Sequence, residues 1–348
     1  MRAAARLGRI GRTIAEQLGL TLLTIVGLLA ITFLIGRIIP VDPALAAAGD
    51  RASAETLAAV RSQMGLDRPL YVQFGAYVAK VAGGDLGVSL LSSRPVIDDI
   101  RRVFTATFEL ATVSVLLAAL IGIPLGVLAA VKRGTPIDHI ARFGNLFGHA
   151  MPVFWLAMMA LLLFYGRLGW VPGPGRLDAL GSALYVPRTG FLLLDPLLDG
   201  DWAMERDALA HLLLPAGVLA FHGMAYITRM TRSFMLDQLS QEYVVTARAK
   251  GCPYWVVIRH HVFRNVRVPL ATVIALTYAG LLEGTVLTET VFSWPGLGRY
   301  LTNALFAADM NATLGATIVI GTVFIVLNRL SDAAARWFDP RAGGQAFT

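Results

Sequence analysis

Long stretches without a charged residue constrain this chain more than any other feature. A helix that crosses a hydrocarbon core of about 30 Å needs about 20 mainly apolar residues. The uncharged runs of suitable length are Leu18–Gly36, Leu110–Val131, Phe143–Gly166, Ala208–Thr228, Val268–Leu282 and Met310–Asn328. The fifth run is short unless it continues past Glu283 to Thr288. This pattern predicts an all-α integral membrane protein with about six transmembrane helices.

The composition supports a membrane protein and excludes several other classes. The chain has 348 residues, of which 56% are hydrophobic and 15% charged, against roughly 45–50% and 25% in soluble domains. A single cysteine, Cys252, excludes a disulfide framework within the chain, and the spacing of Cys and His predicts no zinc site. The net charge of +7 comes from basic residues beside the apolar runs, so we interpret it as membrane topology and predict no nucleic-acid partner.

The first run could be a retained helix or a cleaved signal peptide. Small residues at 44–48 resemble a cleavage site, but the 19 uncharged residues of Leu18–Gly36 exceed the usual apolar region of about 7–15. Arg37 also lies between the run and that site. The length therefore favours a retained helix.

Basic residues are concentrated in every second connecting segment, as the positive-inside rule requires. Arginines precede the first run, and Lys132, Arg133, Arg229, Arg248 and Arg329 fall in segments predicted to be cytoplasmic. The segment before the fourth run is acidic instead. We predict cytoplasmic termini and four regions: an N-terminus with the first span at 1–39, a periplasmic segment at 40–103, a core with the other five spans at 104–340, and a tail at 341–348.

A polar, basic stretch between the fourth and fifth runs, Arg229–Arg267, is too long for a simple connection. Leu236, Leu239, Tyr243 and Ala247 recur at helical spacing, which predicts one helix. Gly251 can end that helix in a left-handed conformation, and Pro253 can begin another. The pattern thus predicts a bent helix pair, or alternatively an amphipathic hairpin on the lipid headgroups.

The residues of this stretch resemble a known family. The sequence of 242–251, from Glu242 to Gly251, followed by Asn265 and Pro269, is similar to the cytoplasmic loop of binding-protein-dependent ABC importer permeases. Its form matches the dipeptide, oligopeptide and nickel branch. Further matching segments follow in the same order along the chain: 39–43, 65–71, 84–89, 123–127, 152–156 and 289–298.

The resemblance implies a helix that docks on a separate cytoplasmic ATPase. The residues that it assigns to ATPase coupling are Glu242, Tyr243, Ala247, Arg248, Ala249, Lys250 and Gly251. No Lys is followed by Ser or Thr, so this chain lacks a phosphate-binding loop of the Gly-Lys-Ser/Thr type. We therefore expect no enzyme activity and no cofactor in this chain, with ATP and magnesium on the partner.

The resemblance also implies several other partners and an external gate. The expected partners are a homologous second permease, two ATP-binding subunits, a periplasmic or lipid-anchored solute-binding protein, and the inner-membrane lipid. The residues assigned to the gate are Phe292, Trp294, Pro295, Gly296 and Gly298, where Pro295 and Gly296 should interrupt any helix. The same turn could instead be a passive lid.

An acidic residue at membrane depth is the candidate for contact with a solute. Glu283 lies roughly 22 Å into the fifth span at about 1.5 Å per residue, where a carboxylate should face a cavity or a partner. It could bind the amino group of a peptide or form a structural pair. Histidines 149, 211 and 222 lie in predicted spans and could contact a metal, but helix contacts are the commoner role.

The expected function is that of a permease subunit forming half of a pathway for di- or oligopeptides across the inner membrane. A nickel-chelate importer of the same branch is the alternative. An ion-coupled secondary transporter is disfavoured because no internal repeat is evident. The sequence does not identify the solute, because importers of this kind take their specificity largely from the separate binding protein.

Overall fold

The structure is a computed structural model that describes residues 19–35, 52–63, 65–179, 181, 185 and 187–338, without the side chains of 283 and 330–338. The N-terminal arginines, the possible cleavage site at 44–48 and the matching segment at 39–43 lie outside the described residues. Regular structure in the described part is helical, apart from one isolated bridge between Val88 and Pro95. The predicted all-α class is therefore confirmed.

The helices are numbered here in chain order. They are α1 Gly19–Ile35, α2 Ala54–Gln63, α3 Leu70–Ala82, α4 Val96–Val131, α5 Pro136–Ala150, α6 Val153–Ala160, α7 Asp195–Asp199, α8 Trp202–Leu239, α9 Glu242–Ala249, α10 Phe263–Val291, α11 Leu297–Phe306 and α12 Met310–Phe338. A π-helical stretch, Leu161–Arg167, continues α6. Tyr254–Val256 and a second π-helical stretch, Val257–Val262, lead directly into α10.

Four helical segments of the described part are long and apolar enough to cross a membrane. They are Val96–Val131, Trp202–Leu239, Tyr254–Leu282 and Met310–Arg329. The pair α5 and α6 makes a fifth if it is counted as one span, and α1 is a shorter apolar helix at the position of the first predicted span. Each of the six predicted runs thus coincides with apolar helix.

The third predicted run differs from expectation because it is bent. The helices Pro136–Ala150 and Val153–Arg167 meet at an angle of 103°. Met151 is extended, with φ −83° and ψ 133°, and Pro152 follows it. Proline disfavours the helical conformation of the residue before it and has no N–H to donate, so the run Phe143–Gly166 cannot continue as one straight helix.

The chain divides into two compact units. The first comprises the described residues of Met1–Arg101 and Tyr300–Ile325. In it, Ser53 caps the start of α2, since its hydroxyl accepts a hydrogen bond from the Thr56 N–H at 3.1 Å. Phe33 of α1 lies against Phe74 and Tyr77 of α3, with ring centroids 5.5 and 5.7 Å apart.

Asp309 organises the 84–95 loop of this unit. Its carboxylate accepts hydrogen bonds from the Ser89 hydroxyl at 2.6 Å and from the Ala312 N–H at 3.1 Å, so it also caps the start of α12. Gly87 has φ +82°, and a Cβ there would meet the side chain of Asn311. Within the matching segment at 84–89, the close approach to α12 therefore requires glycine at position 87.

The second unit comprises Arg102–Arg299 and the described residues of Val326–Thr348. Its centre is α8, which packs against α5, α6 and α10. Small residues permit close approach: a Cβ at Gly126 of α4 would overlap Thr231 of α8, and one at Gly223 of α8 would press on Thr277 of α10. Such small-residue contacts are typical of helices that pack within membranes.

Candidate functional site

The predicted coupling segment, Arg229–Arg267, is almost entirely helical. The end of α8, the whole of α9 and the start of the α10 region lie within it. The apolar spacing from Leu236 to Ala247 predicted a single helix, and this was wrong, because Ser240 and Gln241 separate α8 from α9. The apolar period continues across this corner because both helices pack on the same apolar cluster.

The inward face of α9 attaches it to its own chain. Val244 is 5% exposed and belongs to a buried cluster with Met235, Val257 and Val262. Tyr243 and Ala247 also pack against this cluster, and the Tyr243 hydroxyl donates to Gln238 Oε1 at 2.9 Å. Two of the seven predicted coupling residues therefore lie on the side of α9 that contacts the rest of this chain.

The opposite face of α9 is free of the chain's own core. Its exposed residues include the five other predicted coupling residues, Glu242, Arg248, Ala249, Lys250 and Gly251. This face combines charged groups with small residues that permit close approach. It is therefore chemically suited to a partner that offers carboxylates or backbone carbonyls.

The corner after α9 has the geometry of a Schellman motif. Cys252 N–H donates to Ala247 C=O at 3.2 Å, and Gly251 N–H donates to Arg248 C=O at 2.9 Å. Gly251 has φ +79°, which confirms the predicted left-handed turn, and no atom lies within 4 Å of the position where its Cβ would be. The guanidinium of Arg248 lies 5.6 Å from the centroid of the Tyr254 ring, across the corner.

An uninterrupted helical path connects this corner with the second predicted site. The path begins at Tyr254, directly after Pro253, and ends at Val291. At about 1.5 Å per residue it is roughly 55 Å long, which exceeds the thickness of a hydrocarbon core. The sequence predicted a bent helix pair, and the structure shows that the second helix of this pair continues into the fifth span.

The turn at the far end of this path, residues 292–299, contains the predicted gate residues and is called the gate turn below. Helix α10 ends at Val291 and α11 begins at Leu297, so the predicted interruption is confirmed. Phe292 and Trp294 are 4% and 1% exposed. Gly296 and Gly298 are also buried, whereas Pro295 is exposed. The gate turn is thus packed into the second unit.

A buried ion pair next to the gate turn was not predicted. Arg176 donates to a carboxylate oxygen of Glu109, and its guanidinium lies 5.4 Å from the centroid of the Trp294 ring. Burial lowers the pKa of Arg176, while the charge of Glu109 opposes that shift. The two residues are 67 positions apart in sequence, so no local pattern in the sequence pointed to their pairing.

The segment between the π-helical stretch Leu161–Arg167 and α8 also contains a well-bonded carboxylate, Asp195. It accepts hydrogen bonds from the Thr189 hydroxyl at 2.6 Å and from the Gly190 N–H at 3.0 Å. Burial by itself would raise the pKa of Asp195, but these hydrogen bonds outweigh it, and the pKa is lowered. Asp195 therefore fixes the loop before α7 in its ionised form.

The predicted solute contact stays a prediction. Glu283 lies within α10, but its side chain is outside the described part. His149 and His222 stack with centroids 5.9 Å apart, and His222 Nδ1 lies 3.1 Å from Gly148 C=O, which is a helix contact. Among the described residues no group of three or more His, Cys, Asp or Glu could hold a metal ion.

Comparison with known proteins agrees with this architecture. Residues 122–344 match the family described as binding-protein-dependent transport system inner membrane component, and residues 12–111 match its N-terminal family. The inward-facing MetNI methionine ABC transporter aligns with a TM-score of 0.50 at 14% identity, covering 67% of this chain and 93% of that chain. That similarity supports the fold.

Two relatives in Escherichia coli K12 are similar over nearly their whole length. The protein named "Probable D,D-dipeptide transport system permease protein DdpB" is 45% identical over 322 residues, which cover 92% of this chain and 94% of that protein. Dipeptide transport system permease protein DppB is 42% identical over 330 residues, which cover 94% and 97%. The chain therefore belongs to the family of binding-protein-dependent inner-membrane permeases, in its dipeptide and oligopeptide branch.

Proposed function

We propose that this chain is the permease subunit of an ATP-driven importer of dipeptides and other short peptides. It would form half of the pathway beside a homologous second permease. Two ATPase subunits would bind ATP and magnesium on the cytoplasmic side, and a solute-binding protein would deliver peptide from outside. The support is family membership together with relatives named as dipeptide permeases. Those names favour a peptide over a nickel chelate.

The structural observation that carries the proposed coupling is the continuous helical path from Tyr254 to Val291. Movement of an ATPase bound to α9 would act on the corner at Gly251, and the helical path would transmit that movement to the gate turn. The buried cluster around Val244 and Val257 makes α9 part of the packed body. A densely packed body transmits displacement with little compression.

The chemistry of the exposed face of α9 supports docking. Arg248 and Lys250 provide positive charge, and Glu242 provides negative charge at the other end of the helix. Ala249 and Gly251 leave space for close approach of a partner backbone. A partner groove with carboxylates near the C-terminal end of α9 would complement the side chains of Arg248 and Lys250.

Reconstitution in liposomes tests the proposed assembly. The chain with its second permease, ATPases and binding protein should accumulate a labelled dipeptide when ATP is supplied on the ATPase side. A matched preparation that lacks only the second permease should accumulate none, because one chain supplies half of the pathway. Robust uptake by the single chain, or uptake that persists on an ion gradient without ATP, would contradict the proposal.

A further inference from the structure

A fully buried carboxylate, Glu289, lies at the end of α10 and is not used in the proposed coupling. It is 0% exposed. One oxygen accepts hydrogen bonds from the Gly298 N–H at 2.7 Å and the Arg299 N–H at 3.0 Å. The other accepts from the Thr107 hydroxyl at 2.6 Å. Glu289 therefore connects the last two residues of the gate turn, Gly298 and Arg299, to α4.

Thr107 completes a second connection between α4 and the gate turn. Its hydroxyl oxygen accepts a hydrogen bond from the Leu297 N–H at 2.7 Å while donating to Glu289. The preceding residue contributes as well, because the Trp294 indole N–H donates to Ala106 C=O at 3.0 Å. Two adjacent residues of α4, Ala106 and Thr107, thus bind the gate turn at Trp294 and at Leu297.

Two glycines make this contact possible. A Cβ on Gly296 would fall on the carboxyl group of Glu289, and a Cβ on Gly298 would fall on Val286. The backbone of the gate turn therefore reaches the carboxylate only because these positions have no side chain. This explains physically why Gly296 and Gly298 stand in the segment that resembles the permease family.

We propose that Glu289 is a positioning residue that locks the gate turn to α4, so that the turn and the outer half of α4 move as one body during transport. The inference deepens the proposed function and rests on it for the role of the turn. The carboxylate is enclosed and already accepts three hydrogen bonds, so it is a structural connection between elements and not a contact for solute.

Amide hydrogen exchange tests the connection without any transported solute. In Glu289→Ala, the amides of Gly298 and Arg299 should exchange at least about tenfold faster, because both lose the oxygen that accepts their hydrogen bonds. Glu289→Gln should show a smaller effect, since its amide oxygen can still accept. Thr290→Val is the matched control, because the Thr290 hydroxyl bonds only its own helix at Val286 C=O, at 2.9 Å. Unchanged exchange in Glu289→Ala would overturn the proposal.

A reversible crosslink tests whether the two elements move together. Thr107→Cys with Leu297→Cys, in a Cys252→Ser background, places one thiol on α4 and one on the gate turn at residues that are in contact, since the Leu297 N–H donates to the Thr107 hydroxyl. Uptake by the assembled complex should be low for Glu289→Ala. With the cysteine pair added, oxidation should restore uptake and reduction should abolish it again.

The outcomes separate this inference from the proposed function. If the crosslink forms and uptake stays absent while the unmodified complex transports, then the gate turn must move relative to α4 and the inference is wrong. Wild-type uptake in Glu289→Ala would also overturn it. If the unmodified complex moves no peptide, the proposed function fails, whereas the exchange measurement still decides whether Glu289 holds the turn.

Discussion

Gly251 adopts φ +79° at the corner between α9 and the path that leads to the gate turn. Gly251→Val should disfavour this conformation by about 1–2 kcal/mol and add a side chain on the face proposed to bind the ATPase. We expect normal membrane insertion and association with the second permease, but loss of ATPase binding or of coupling between hydrolysis and uptake. A pull-down with the ATPase and an uptake assay measure both.

Gly134 provides a matched control for this substitution. It has φ +78°, and no atom lies within 4 Å of its Cβ position, as at Gly251. Gly134→Val therefore introduces the same backbone strain at a place with no proposed partner, and it should retain ATPase binding. Equal behaviour of the two variants would mean that Gly251 acts through strain alone. Wild-type binding and uptake in Gly251→Val would favour a surface hairpin.

Glu283 is the second prediction at this scale. Glu283→Gln should reduce peptide uptake severalfold if the carboxylate lines the pathway, because the charge that would attract an amino group is lost. Assembly with the partners should be unchanged, as measured by co-purification. Glu283→Asp, which keeps the charge, should retain more uptake than Glu283→Gln. Unchanged uptake kinetics in assembled Glu283→Gln would assign Glu283 a structural role.

At the scale of elements, one buried ion pair joins α5 to α8. Asp138 accepts hydrogen bonds from Arg232 Nε at 2.7 Å and Nη2 at 3.0 Å, and its side chain is 2% exposed. Asp138→Ala should cost about 3 kcal/mol or more, because a largely buried guanidinium loses its partner. The thermal unfolding midpoint of the purified chain in detergent measures this loss.

Arg142→Ala is the comparison for that variant. Arg142 approaches the same carboxylate at 3.7 Å, but its side chain is 52% exposed, so its loss should cost no more than about 1 kcal/mol. If Asp138→Ala lowers the midpoint no more than Arg142→Ala, then the pair does not hold α5 on α8. Adding Arg232→Met to Asp138→Ala should recover part of the loss by removing the unpaired charge.

At the scale of the whole molecule, the charge pattern predicts that both termini face the cytoplasm and that the outer segments face the other side. A cysteine at Arg188, in a Cys252→Ser background, should react with an impermeant thiol reagent added outside intact cells. A cysteine at Arg248 should react only after permeabilisation. Both side chains are exposed in this chain, so in cells that lack the ATPase subunits accessibility reports the side of the membrane. The reverse labelling pattern would invert the orientation.

Local chemistry in the sequence determined the membrane class, the positions of the apolar helices and several of their ends. The left-handed turn at Gly251, the helix cap at Ser53 and the interruption at 292–298 were predictable. Each depends on a residue type that acts on the backbone within a few positions: glycine, serine and proline, respectively. The bend at Pro152 carried the same kind of signal and could have been predicted. The corner at Ser240 could not, because the apolar period continues through it.

Only the tertiary structure decided which distant groups meet. Glu289 and Thr107 are 182 positions apart, and Arg176 and Glu109 are 67 apart. The first pairing depends on how the end of α10 packs on α4, and the second on where the segment that contains Arg176 lies against α4. Periodicity specifies neither, because a helix shows the same apolar stripe to any neighbour. The sequence alone therefore marked where the coupling corner and the gate turn lie, whereas packing determined that one continuous helix connects them and that a buried carboxylate holds the turn.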